Sequence, residues 1–106
     1  MKFHHLSLGV TNFEKSLNFY TTLAQLKVAK QFAPNGGNVA YLCNAEGETE
    51  IELIAMPEGH TFEGKGMFLC FATDTLESAH ETAAKGGWNL SDIRQPGTDY
   101  QILLCL

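Results

Sequence analysis

Apolar and polar positions alternate along residues 2–10, with Leu6, Leu8 and Val10 on one side and Phe3, His5, Ser7 and Gly9 on the other. A period of two with unlike faces predicts a strand, and it turns His5 away from the aliphatic face. The period then changes. Phe13, Leu17, Tyr20 and Ala24 fall at helical spacing over residues 13–25, with Phe19, Leu23 and Leu26 widening the stripe and Asn12 in place as an N-cap. That helix is expected to cover the Leu6/Leu8/Val10 face. Residues 27–33 and 38–43 read as two strands joined through Pro34-Asn35-Gly36-Gly37, because Asn-Gly-Gly supplies the positive backbone torsions of a tight hairpin. Residues 48–55 read as a further strand, with Glu48, Glu50, Glu52 and Ile54 on one face and Thr49, Ile51, Leu53 and Ala55 on the other.

The second half repeats the opening. His5 to Glu14 lines up, 63 positions later, with Phe68 to Glu77, each copy reading as a strand that turns through Asn or Asp into a helix. Residues 67–73 are expected as the second first-strand. A helix follows to about Lys85, capped by Asp74 or Thr75 and stopped by Gly86-Gly87, and residues 88–94 and 99–106 read as two more strands. The glycines and scattered charges of residues 57–66 suit a linker. The expected organisation is one domain over 1–106, with a first βαβββ module at 1–56, a linker at 57–66 and a shortened βαββ module at 67–106. A last strand matching 48–55 would begin near position 111, past Leu106.

Composition narrows the setting. The 106 residues are 44% apolar, enough for a modest core, and the net charge of −5 comes without a basic cluster, which argues against a nucleic-acid partner. No apolar run approaches the roughly 18 residues of a membrane span, and no signal-peptide core follows Met1-Lys2, so no membrane association and a cytoplasmic setting are expected. Cys43, Cys70 and Cys105 sit in apolar runs at wide spacing and read as buried structural thiols.

The stretch His5 to Tyr20, with alternating apolar positions, Val10-x-Asn12, Phe13-Glu14 and Ser16-Leu-Asn-Phe-Tyr20, resembles the opening of the vicinal oxygen chelate superfamily. That superfamily includes glyoxalase I, fosfomycin-inactivating transferases, bleomycin-binding (bleomycin resistance) proteins and extradiol dioxygenases. Ile51-Glu52-Leu53 and Ala83-Ala-Lys-Gly-Gly87 extend the resemblance. It implies an α+β fold of two βαββ(β) modules curling around one cavity, here with the second module short of its last strand. It also implies that His5 and Glu52 occupy the metal-ligand positions of the first module, for a divalent ion such as Ni, Zn, Mn or Fe. The position answering to His5 in the second module is Phe68, which cannot ligate, and Ala24-Gln25 stands where relatives commonly have Leu-Gly.

Two readings of function follow. One is a metal-dependent lyase or transferase of glyoxalase I type acting on a small oxygen-chelating substrate, in which His5 and Glu52 hold an ion that acts as a Lewis acid. The other is a metal-independent protein that binds a small, antibiotic-like molecule, or an inactive shortened homologue, in which the same two residues merely line the cavity. Phe3, Tyr41, Phe68, Trp88 and Tyr100, together with Ser7, are the candidate ligand-binding residues, with core packing as the alternative role for the aromatics. For His5 the alternative is a hydrogen-bonded histidine on the sheet surface, and for Glu52 a place on a solvated acidic face. His4 is expected to point opposite to His5, and His60 and His80 to face solvent. Pairing of modules between chains in relatives, and the apolar run ending at Leu106, imply a homodimer.

Overall fold

The computed structural model describes residues 1–61 and 66–93. The chain divides into two compact units, Met1–Phe68 and Leu69–Leu106.

The first unit is built on four strands and one helical layer. In chain order they are β1 (His5–Gly9), α1 (Phe13–Asn18), β2 (Lys27–Phe32), β3 (Asn38–Cys43) and β4 (Glu50–Ala55). The sheet order is β1-β4-β3-β2, with β2, β3 and β4 an antiparallel meander and β1 parallel to β4. The parallel pair needs a crossover, and the helical segment after β1 supplies its start. The result is a βαβββ module with a four-strand mixed sheet.

Alternation sorts the sheet into two faces as the pattern requires. Leu8, Ala40, Leu42 and Leu53 form the core with Phe13 and Leu26, and Leu6, Val10, Leu17, Tyr20, Ala24 and Ile51 pack against it. Leu42 and Leu53 are fully buried. The expected helix therefore does cover the Leu6/Leu8/Val10 face.

That helix is shorter than its periodicity suggests. Asn12 caps it, its Oδ1 accepting from the Lys15 amide at 3.1 Å, but the α-helix ends at Asn18 and residues Phe19–Leu23 form a wider π-helical turn. The hydroxyl of Thr21 donates to the Leu17 carbonyl at 2.8 Å, and such back-bonding by β-branched Thr competes with the helix ladder. Gln25 follows with φ 58°, a left-handed torsion that favours glycine.

The hairpin turn forms as predicted. Asn35 and Gly36 take φ 47° and 79°, and the Gly37 amide donates to the Pro34 carbonyl at 2.8 Å. Both central torsions are positive, so the link twists with the strands it joins. The last strand of the module begins at Glu50 rather than Glu48, because the Glu48 amide is held in a turn by the Ala45 carbonyl and pairing starts where the Glu50 amide reaches the His4 carbonyl.

In the second unit α2 (Leu76–Lys85) forms where expected, buries Ala83, and is followed by Gly87 at φ 78°. Thr75 stands at the N-cap, with no side-chain cap bond of its own. Residues 67–73, expected as a strand, belong to no strand, and Phe68, Leu69 and Phe71 are exposed. An apolar run takes strand structure only where a ladder partner lines up with it, which the run's composition does not specify. Of residues 88–93 only Leu90 makes a bridge. The strand expected at 99–106 lies outside the described residues, as do Cys105 and Tyr100. Cys43 is buried as expected, whereas Cys70 is exposed. No helix among the described residues is long and apolar enough to cross a membrane.

Candidate functional site

The face of the sheet away from α1 carries polar groups in register. Ser7 on β1 lies beside Glu52 on β4, Glu52 beside Tyr41 on β3, and Tyr41 beside Lys30 on β2. A single row thus crosses all four strands. His5 stands one pleat along β1, beside Glu50.

Glu52 is the centre of the row. Ser7 Oγ donates to its Oε1 at 2.5 Å, Tyr41 gives it a second side-chain hydrogen bond, and His5 Nε2 stands 3.8 Å from the same Oε1. Its side chain is only 13% exposed, so these neighbours decide its ionisation. Burial pushes the carboxyl up, but the hydroxyls of Ser7 and Tyr41 and the charges of His5 and Lys30 outweigh that and hold it below the usual carboxylate range. Tyr41 responds in the opposite sense. Its bond to Glu52, burial, and the negative charges of Glu52 and Glu50 raise its phenol above the ordinary value.

Aromatic contacts frame this centre. Tyr41 meets the His5 ring edge-on at 5.4 Å between centroids and stacks with Phe32 at 6.4 Å, while Lys30 Nζ lies 4.6 Å from the Tyr41 centroid. The ammonium over the ring is a cation–π contact.

His4 is placed differently from its expected position. Its Nδ1 lies 2.7 Å from His5 Nδ1, and the two rings meet edge to face at 4.9 Å. Alternation would oppose neighbouring side chains, but His4 precedes the first residue of β1 and escapes the pleat.

Of the residues singled out from the sequence, the fold brings His5, Ser7, Tyr41 and Glu52 together. Phe3 is exposed just before β1, where its carbonyl accepts from the Thr49 hydroxyl at 3.1 Å. Phe68 is 92% exposed at the end of the first unit. Trp88 lies in the second unit, its ring against Gly86 so closely that a Cβ there would fall 2.2 Å from it. Tyr100 is outside the described residues. His60 is exposed and His80 on α2 is partly buried rather than solvent-facing. Lys30 and Phe32 were not among the sequence candidates; their signal is the strand register, which becomes visible only once β2 is paired with β3.

Could this face hold an ion? No cluster of three or more His, Cys, Asp or Glu suited to a metal occurs among the described residues. His5 Nε2 and Glu52 Oε1 stand 3.8 Å apart, a few tenths of an ångström wider than the roughly 3.4 Å between tetrahedral neighbours with bonds of about 2.0–2.2 Å, a difference that a side-chain rotation closes. The donor types, an imidazole and an ionised carboxylate, suit a borderline divalent cation.

The sequence matches the Glyoxalase/Bleomycin resistance protein/Dioxygenase superfamily over residues 2–103. The chain belongs to that superfamily. Solved structures agree on the fold. The trypanothione-dependent glyoxalase I of Leishmania major is similar with a TM-score of 0.75 at 15% identity, covering 99% of this chain and 86% of its own. A glyoxalase/bleomycin resistance/dioxygenase domain from Frankia sp. gives 0.70 at 21% identity, covering 97% and 86%. An integron cassette protein from the mobile metagenome of V. cholerae gives 0.56 at 25% identity, covering 97% and 82%. No curated protein matches the chain. Proteins of this superfamily are often metal-dependent and their domains typically pair.

Proposed function

We propose that this vicinal oxygen chelate domain is a metal-dependent lyase or transferase for a small substrate with two adjacent oxygen donors, and that His5 and Glu52 are its first-module ligands. The observation that carries the reading is the convergence of His5 Nε2 and Glu52 Oε1, at 3.8 Å, on the face opposite the helix-covered core. Glu52 is held ionised, which is the state that ligates. A bound divalent ion would supply Lewis-acid polarisation of the substrate's oxygens.

The chain's own residues do the rest. Ser7 and Tyr41 fix the Glu52 carboxylate through their hydroxyls, and a carboxylate has about four lone-pair sites, so two donors leave room for a third partner. Tyr41 and Phe32 offer aromatic surface beside it for the body of the substrate. Further ligands would come from solvent, from the substrate's own oxygens, or from a second copy of the chain in a homodimer.

The test is calorimetric titration of the full chain with Ni²⁺, Zn²⁺ and Mn²⁺, beside His5→Ala and Glu52→Gln. Stoichiometric binding that both substitutions weaken by at least about tenfold supports the reading. Absence of binding for all three ions overturns it.

A second reading has its own observation. Glu52 already accepts hydrogen bonds from Ser7 and Tyr41, so its charge is satisfied without an ion. In that case the row is a cradle for a cationic small molecule, and such a ligand would bind the metal-free protein and be lost in Glu52→Gln.

A further inference from the structure

His5 has two ring nitrogens, and only one of them can serve an ion. A neutral imidazole carries a proton on one nitrogen and a lone pair on the other, so the tautomer decides whether Nε2 is a ligand or a donor. Two distances bear on where that proton sits. His5 Nε2 stands 3.8 Å from Glu52 Oε1, which is too long for a hydrogen bond, and that oxygen already accepts from Ser7. His5 Nδ1 stands 2.7 Å from His4 Nδ1, which is hydrogen-bonding distance. One of those two nitrogens must carry the proton they share.

His4 is exposed. Its Nε2 can keep a proton hydrated by water, which leaves its Nδ1 with a lone pair to accept. The opposite arrangement would place the His5 proton on Nε2, which faces Glu52 Oε1 from beyond hydrogen-bond range. We propose that His4 is a positioning residue: its Nδ1 accepts the His5 Nδ1–H and so holds His5 in the tautomer that presents the Nε2 lone pair toward Glu52.

This rests on the proposed ligand role of His5, but it makes a separate claim about the metal-free protein. Metal-binding histidines depend on such a bond at their second nitrogen for ring orientation and basicity, and losing it typically lowers affinity about 10–100-fold. Here the partner is the preceding residue of the chain, placed outside β1 where the strand alternation no longer forces it to the other face.

The experiment has two readouts. Nitrogen NMR of histidine-labelled, metal-free protein at mildly alkaline pH reports the His5 tautomer, and calorimetry with Zn²⁺ reports affinity. Three chains are compared: wild type, His4→Phe, which has no acceptor, and His4→Asn, whose side-chain oxygen can take the place of Nδ1. The expected result is an Nδ1–H His5 in wild type and His4→Asn, a mixed or Nε2–H His5 in His4→Phe, and Zn²⁺ affinity about tenfold or more weaker in His4→Phe alone. A wild-type His5 protonated on Nε2 overturns the proposal, as does a His5 tautomer unchanged in His4→Phe. Should His4→Phe fail to fold, the wild-type and His4→Asn spectra still decide. Should wild type bind no Zn²⁺, the ligand reading of His5 falls, while the metal-free spectra still judge the role of His4.

Discussion

Ser7 and Glu52 stand side by side on the parallel strands β1 and β4, and the serine hydroxyl donates to the carboxylate at 2.5 Å. The contact joins residues 45 positions apart and sits at the centre of the polar face. It helps to keep Glu52 ionised against the burial that opposes charge, with Tyr41, His5 and Lys30.

Removing that donor has a predictable sign. The folded pKa of Glu52 lies below its unfolded value, so its contribution to stability is present above the unfolded pKa, near 4.3 for glutamate, and is lost as pH falls through the folded one. Ser7→Ala is expected to raise the Glu52 pKa and make the acid limb of the stability curve less steep. Carbon NMR titration of Glu52 in both proteins measures it, and an unchanged pKa would count against the hydrogen bond.

The core gives a larger effect. Leu53 is fully buried on β4, on the face opposite Glu52, among Leu8, Phe13 and Leu42. Leu53→Ala removes buried apolar volume at the middle of the sheet and is expected to destabilise the fold by about 2–5 kcal/mol. Urea unfolding followed by circular dichroism reads the loss as a lower midpoint at similar slope.

The sheet of the first unit was legible because period and turn chemistry agreed there. Leu6 and Leu8 alternate against His5 and Ser7, and Asn35-Gly36 leaves the hairpin little choice of turn. The helix end was not legible, since the spacing of Tyr20 and Ala24 says nothing of a Thr21 hydroxyl that draws on the Leu17 carbonyl. At the site, strand alternation put His5, Ser7 and Glu52 on one face. Lys30 needed the pairing of β2 with β3: counted from the Asn35-Gly36 turn the register runs unbroken to Lys30 beside Tyr41, and it shifts only beyond, toward Val28. His4 departs from the alternation for a local reason: it precedes the first residue of β1, where the pleat does not reach. The apolar run at 67–73 reads as a strand by composition, but composition cannot name a pairing partner.

Gln25 offers a stabilising change. With φ 58° it occupies the left-handed region, which costs a residue with a Cβ about 1–2 kcal/mol. Gln25→Gly relieves that strain, and the greater freedom of glycine in the unfolded chain offsets part of the gain. The expected outcome is a rise in stability of up to about 1 kcal/mol, seen as a higher thermal midpoint. Gln25→Ala should bring no such gain, because alanine retains the Cβ.

Lys30 and Ser7 act on the same carboxylate by different physics, and salt separates them. Lys30 lowers the Glu52 pKa through charge alone, from an exposed position on the edge strand β2. Ions screen such an interaction, with a screening length that shrinks from about 10 Å at 0.1 M to about 3 Å at 1 M. The Ser7 contribution is a direct hydrogen bond at 2.5 Å, inside any ionic atmosphere. Lys30→Met is therefore expected to raise the Glu52 pKa in dilute buffer and to change it little in concentrated salt, whereas Ser7→Ala should raise it in both. Titrating Glu52 by carbon NMR at the two salt levels checks this. An effect of Lys30→Met that survives high salt would mean that the lysine acts through position, by holding the Tyr41 ring over which its ammonium lies, rather than through its charge.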